Sequence, residues 1–329
     1  MVAQSVTRVL VVGCGSIGRR HARLLAERPD VEVSVCDTLA DNLQAALAGA
    51  AGAKGFDDFE TALAVEPDAV FVCTPNHLHR PMSLAALEAG CDVLCEKPLA
   101  DTVENAAAIA EAAAGSDRML HVGYSLRSHT GLRRLRELVE QGACGTLVGA
   151  RAMVGTYFTL MCATTPYRLE EENALILDYT HLLDYLRLLL GRLVRVSAES
   201  ATLGDLPMLP RPNVFSLLLT HESGALSQMH ADYVQHPQRH LTEVFGDRRT
   251  LVYDWQEGEL RIFDRERDGY NVERVVTGRD DIYRTQIAEF LEAIHGDMVP
   301  VCTPEEGVAA LKAAMAAVQS AEEHRVVEV

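Results

Sequence analysis

Basic charge is scarce in this chain. Its 329 residues carry 30 lysine and arginine side chains against 47 aspartates and glutamates, a formal net charge of −17. A nucleic-acid-binding surface needs the opposite balance, so that class is set aside, and the acidity reads as plain solubility. Long apolar runs are lacking too: none approaches the ~20 residues that span a bilayer. Met1 to Ser5 shows no charged leader running into an apolar stretch, so the chain is expected to stay in the cytoplasm. Eight cysteines are present, but none forms a C-x-x-C pair, which argues against a disulfide framework or a zinc site. The thiols are expected to pack as small apolar groups. His77 with His79, and His236 with His240, have no accompanying Cys or carboxylate pattern, so no metal is expected. There are no internal repeats and no low-complexity linker. Gly204 to Pro212, with three prolines, reads as an exposed loop.

What is present begins at Val9-Leu10-Val11-Val12, an apolar run leading straight into Gly13-Cys14-Gly15-Ser16-Ile17-Gly18. Ile17, His21, Leu24 and Leu25 then recur at helical spacing, so the stretch predicts strand, tight turn and helix. In such a unit Gly13 allows the turn, Gly15 lets a pyrophosphate approach the backbone, and Gly18 lets the helix lie against the strand. The free N–H groups and dipole of the helix would face the anion. A second apolar strand, Val31 to Cys36, ends in Asp37, about 20 residues past the turn, where a carboxylate can accept from ribose hydroxyls and repels a 2′-phosphate. That favours NAD over NADP. The plain alternative is a glycine turn with no ligand and a surface acid at a strand end.

Residues 8–122 alternate strands (Arg8–Val12, Val31–Cys36, Ala69–Cys73, Asp92–Cys95, Met119–Val122) with alanine-rich helical stretches. This is the pattern of an α/β doubly wound parallel sheet, whose ligands lie beyond the carboxyl ends of the strands. Three polar loops fall there: Thr74-Pro75-Asn76-His77-Leu78-His79, Glu96-Lys97-Pro98, and Gly123-Tyr124-Ser125-Leu126-Arg127.

The pattern then changes. Alternating segments from Thr146–Tyr157 to Glu259–Phe263 predict a C-terminal α+β domain with a large, mostly antiparallel sheet. One face would pack on helices, and the other is apolar enough to pair with another subunit, as a homodimer or homotetramer. We therefore divide the chain into residues 1–124 and 125–329, with the last helix able to pack back on the first domain. Within Asn173 to Leu190, read as one buried helix, Asp178 and His181 are three apart, as are His181 and Asp184. A carboxylate beside an imidazole raises its pKa and fixes its orientation, which suits proton transfer. A satisfied buried histidine joining two helices is the other reading.

Together, the glycine turn, Thr74-Pro75-Asn76, Glu96-Lys97-Pro98-Leu99-Ala100 and His181-Leu182-Leu183-Asp184 resemble the Gfo/Idh/MocA oxidoreductases over essentially the whole chain. The resemblance implies an NAD(P)-dependent oxidoreductase acting on a secondary hydroxyl of a sugar, sugar acid or cyclitol. Gly13, Gly15, Ser16, Ile17 and Gly18 would hold the pyrophosphate and Asp37 the adenosine ribose. Thr74, Asn76 and His79 would line the nicotinamide, with Glu96 and Lys97 beside it, and the peptide before Pro98 is often cis in this family. Lys97 and His181 would relay the proton, with Asp178 positioning the substrate or the ring. Tyr124 and Arg127 would sit at the domain junction, near the substrate. The chain departs from the pattern at Glu172-Asn173-Ala174, where family members commonly carry paired glycines, and Met161 to Glu172 looks short. Two rivals share the scaffold: an enzyme that keeps NAD bound and oxidises only transiently to eliminate or cleave a glycoside, and a non-catalytic sugar or dinucleotide sensor.

Overall fold

A computed structural model describes residues 6–157, 172–204, 211–296 and 299–329. Residues 161–171 of the short segment, most of the proline-rich loop and the first five residues lie outside the described residues. The chain divides into two compact units, one of Met1–Ser125 with Tyr283–Leu311, the other of Leu126–Ile282 with Lys312–Val329. No helix among the described residues is long and apolar enough to cross a membrane.

In the first unit, β1 (Thr7–Val12), β2 (Val31–Cys36), β3 (Lys54–Phe56), β4 (Ala69–Val72), β5 (Asp92–Glu96) and β6 (Leu120–Gly123) form a parallel sheet ordered β3-β2-β1-β4-β5-β6. Its connections run through α1 (Ser16–Ala26), α2 (Ala40–Gly49), α3 (Phe59–Leu63), α4 (His79–Glu88) and α5 (Val103–Ala114). The order reverses between β1 and β4, which is where such a sheet opens a crevice for a ligand. Val9, Val11, Val33, Val35, Phe71 and Leu94 fill the core, because a parallel sheet covered on both faces leaves no polar side. Phe290, from α9 (Arg279–Ile294), closes that core edge-on to Phe71 at 5.0 Å between ring centroids. The three-residue edge strand β3 is absent from the sequence expectation, being too short to show a period.

In the second unit, the sheet runs β14-β13-β12-β11-β7-β10-β9-β8-β15. Its strands are β7 (Leu147–Gly155), β8 (Leu193–Ala201), β9 (Val214–His221), β10 (Leu226–Asp232), β11 (Arg239–Gly246), β12 (Arg249–Asp254), β13 (Glu259–Asp264), β14 (Tyr270–Arg274) and β15 (Val327–Glu328). It is mixed: β7 and β10 pair parallel, while the other pairs are antiparallel. Along β9, Phe215, Leu217 and Leu219 are buried while Ser216 and Leu218 point out, as a sheet covered on one face requires. The expected single helix is broken in two. Tyr179 leaves helical geometry (φ −102°, ψ 21°) between α7 (Ala174–Asp178) and α8 (Thr180–Leu190). α6 (Thr130–Glu140) precedes the sheet and α10 (Pro304–Glu323) nearly closes the chain.

Candidate active site

The glycine turn follows β1 at the sheet's carboxyl edge, and each glycine meets a different constraint. Gly13 sits at φ +87°, and a Cβ there would lie 2.7 Å from the Cys73 carbonyl and the Thr74 nitrogen. A Cβ on Gly18 would fall 1.8 Å from the Gly13 carbonyl oxygen. Those two positions are closed by the protein itself. Gly15 is open: nothing lies within 4 Å of its added Cβ, and as N-cap of α1 it has no side chain to cap the first turn. Uncapped N–H groups beside an empty approach are what a pyrophosphate requires. Ser16 and Ile17 open the helix at that point. The residues present fit a dinucleotide.

Asp37, past the end of β2, accepts from the Cys14 backbone N–H at 2.7 Å and from Leu39 N–H at 2.8 Å. It ties the glycine turn to the second strand and also accepts from the Asn42 amide at 3.3 Å; it remains partly exposed, so Oδ1, which accepts only from Leu39 among these donors, can also accept from a ribose hydroxyl. Across the switch point, the Thr74 hydroxyl is buried without a hydrogen-bond partner among the described residues. Such an orphan is costly unless a ligand satisfies it.

The Glu96-Lys97-Pro98 turn leaves β5 on the same edge. From Val93 to Ala100 every residue is buried except Lys97. The Lys97–Pro98 peptide is cis. Several residues expected to touch the cofactor are buried at this edge. His79 is 1% exposed, with Nδ1 2.9 Å from the Pro98 carbonyl and Nε2 2.9 Å from the Thr74 carbonyl. Burial pulls its pKa down, against the two carbonyls and the Glu96 charge. Glu96 faces His21 Nε2 at 2.9 Å and accepts from the Lys97 N–H at 3.3 Å. Asn76 and Tyr124 are also buried.

In the second unit, Asp178 closes α7 and His181 opens α8, both half-buried amid buried leucines. They belong to two helices, not one, and Asp178 accepts a 2.6 Å hydrogen bond from the Tyr233 hydroxyl. Tyr233, just past the end of β10, was not expected from the sequence, and that strand, with Ser227, Gln228, His230 and Asp232 in it, carries no signal that singles it out. Asp184, expected beside His181 on the helix, has a buried cation as partner. It holds Arg127 in a two-pronged ion pair with both side chains 2% exposed. Arg127, expected near the substrate, is buried in this pair. Asn173, in place of a glycine, takes up φ +59° as N-cap of α7, and asparagine is among the few residues that tolerate that region.

Burial pushes the Cys14 and Cys95 thiols up to about 12, so they are unreactive packing groups. No cluster of three or more potential metal ligands occurs among the described residues.

The switch-point sheet with its fitted glycine turn, followed by a second unit on a large mixed sheet, defines a dinucleotide-binding protein of two parts. Models of the oxidoreductase family with an NAD-binding Rossmann fold and of the GFO/IDH/MocA C-terminal domain match residues 7–124 and 132–252. The chain is 31% identical over 264 residues to 1,5-anhydro-D-fructose reductase of Ensifer adhaerens, covering 77% of each. It is 37% identical over 149 residues to D-glucoside 3-dehydrogenase of Escherichia coli (strain K12), 44% of this chain but only 42% of that relative's length. An oxidoreductase from Agrobacterium radiobacter, crystallised with NAD+, L-tartaric acid and magnesium, shares the fold, with TM-score 0.87, 20% identity and 98% of both chains covered. The chain belongs to the GFO/IDH/MocA oxidoreductase family.

Proposed function

We propose that this oxidoreductase uses NAD to oxidise a secondary hydroxyl of a sugar, sugar acid or cyclitol, or to reduce the matching ketone. The observation that carries the reading is Lys97: the one partly exposed residue in a buried turn, on the strand edge where the glycine turn fits a dinucleotide. The glucoside and anhydrofructose relatives support the substrate class.

When bound, the cofactor accepts or supplies the hydride. The chain's own residues do the rest. Gly15, Ser16 and Ile17 hold the pyrophosphate, and Asp37 the ribose. Lys97 hydrogen-bonds the reacting oxygen, and a cationic ring nearby would lower its pKa by like charge. His181 takes or returns the hydroxyl proton, with Asp178 as its orienting neighbour, itself held by Tyr233. A second copy of the chain would cover the outer face of the nine-stranded sheet, where Leu218 and Leu226 are half exposed.

The test is a panel of sugars, inositols and sugar acids read by NADH absorbance with NAD and NADP. Lys97→Ala and His181→Ala are expected to lower kcat by about 10²–10⁴-fold while leaving NAD bound. Near-normal turnover in both variants would overturn the assignment. Protein that keeps its cofactor through purification and forms no net NADH would point to transient oxidation instead.

A further inference from the structure

We propose that His21 and His79, two buried imidazoles, are positioning residues that clamp Lys97 from either side. The proposal rests on the reading of Lys97 as a proton-handling group.

The residue before Lys97 is held by the first helix. Glu96 is 8% exposed, and its Oε1 lies 2.9 Å from His21 Nε2. His21 is 0% exposed, edge-on to Phe71 at 5.2 Å and Tyr283 at 5.4 Å between ring centroids. Its Nδ1 has no hydrogen-bond partner among the described residues, so the ring proton belongs on Nε2, donated to the carboxylate. The other carboxylate oxygen accepts from the Lys97 N–H at 3.3 Å. On the facing strand, Gly123 leaves no slack: a Cβ there would lie 2.9 Å from Glu96 Cα and 3.0 Å from its Cδ. Glu96 is thus fixed from helix and strand together.

The residue after Lys97 is held by the fourth helix. His79 Nδ1 reaches the Pro98 carbonyl and Nε2 the Thr74 carbonyl, both at 2.9 Å. Both partners are acceptors and burial favours the neutral ring, which carries one N–H; the clamp assigns it to Nδ1, donated to the Pro98 carbonyl, with Nε2 lying beside the Thr74 carbonyl. Lys97 itself is the one partly exposed position between these clamps. A lysine has a long, freely rotating stem, so the position of its nitrogen depends on how firmly its backbone is set. A displacement of ~1 Å costs on the order of 10²-fold in a positioned reaction.

Shape-sparing amide swaps separate clamp from packing. A glutamine amide reaches where Nε2 stood, and an asparagine amide where Nδ1 stood. His21→Gln and His79→Asn therefore keep the clamps, while His21→Asn and His79→Gln break them. The clamp-breaking pair is expected to lower kcat by about tenfold or more, with the NADH dissociation constant, from fluorescence titration, changed less than about threefold. The clamp-keeping pair is expected to stay within about threefold of the parent in both. In a Lys97→Ala background the clamp-breaking swaps are expected to cost nothing further, since positioning acts only through what it positions.

A readout independent of turnover comes from composition: the chain has three lysines, Lys54, Lys97 and Lys312. Reductive ¹³C-methylation gives each a resolvable methyl resonance, assigned by lysine-to-arginine variants. The Lys97 resonance and its titration midpoint are expected to move in the clamp-breaking variants, while Lys54 and Lys312 stay put. A Lys97 signal unchanged in either folded clamp-breaking variant, or equal damage from keeping and breaking swaps, would overturn the proposal. The two histidines are separate arms, so one arm decides if a swap in the other does not fold. If Lys97→Ala retained full turnover, the catalytic reading would fail, and the resonances would still decide the clamp.

Discussion

Acidification from pH 7 to pH 5 is expected to destabilise the second unit through two imidazoles. His129 caps α6, its Nδ1 accepting from the Gly131 N–H at 3.1 Å, and His240 lies in β11. Both are buried around Trp255, at 4.1 Å and 4.3 Å between ring centroids. Burial lowers His129 to about 4, and burial together with the His129 charge lowers His240 to about 3. In the unfolded chain both return to about 6.5. The unfolded state therefore binds more protons, so stability falls as pH drops below about 6.5 and levels off only when the folded rings charge, near about 4 and about 3. Over the interval to pH 5 each ring costs about 2 kcal/mol, or about 4 kcal/mol for the pair. The assay is urea unfolding at both pH values, followed by fluorescence of Trp255, the only tryptophan. The comparison is His129→Asn/His240→Phe, which keeps a capping side chain and a ring against the indole. All other titrating groups are common to both proteins, so the variant should lose about 4 kcal/mol less between pH 7 and pH 5. Equal losses, within about 1 kcal/mol, would refute the reasoning.

Four further outcomes follow from substitutions at individual sites. Gly15→Ala should fold with stability changed by less than about 0.5 kcal/mol, since its added methyl meets nothing within 4 Å, yet weaken NADH binding by about tenfold or more in titration. Gly18→Ala should lose stability in urea unfolding because its methyl strikes the Gly13 carbonyl. Arg127→Met should cost about 3–5 kcal/mol by removing the two-pronged cation from buried Asp184, and Arg127→Met/Asp184→Leu should recover most of it in thermal melts. Asn173→Gly should be neutral within about 0.5 kcal/mol, whereas Asn173→Val should cost about 1–2 kcal/mol through its positive φ.

The elements legible in the sequence are those whose signals are local. The β1 run, its glycine turn and α1 share one stretch of chain, and α5 starts where Thr102 accepts from the Asn105 N–H at 3.1 Å. β3 and β15 escape notice because three and two residues carry no period. The parallel pairing of β7 with β10 joins segments distant in sequence and leaves no mark in either. The break at Tyr179 is hidden because apolar residues surround it on both sides. Side-chain direction is the deepest gap. Nothing in Thr74-Pro75-Asn76-His77-Leu78-His79 tells which histidine points inward, yet His77 is exposed and His79 is 1% exposed.

Burial sorts the expected site residues into two kinds. At the first unit's edge, Lys97, Thr74 and Asp37 are partly exposed, while Glu96, His79, Asn76 and Tyr124 are buried. In the second unit the same division falls between half-buried Asp178 and His181 and buried Arg127 and Asp184. A short motif carries both kinds side by side, because the buried neighbour that fixes a backbone must lie within a residue or two of the side chain it presents. Glu96 and Pro98 flank Lys97 in this way, each engaged by an imidazole from a different helix. A motif match therefore marks the right turn of chain without saying which of its members does the chemistry. Mutating the buried members should alter the rate only in so far as they displace the exposed one, and for the Glu96-Lys97-Pro98 turn the lysine resonance makes that displacement measurable.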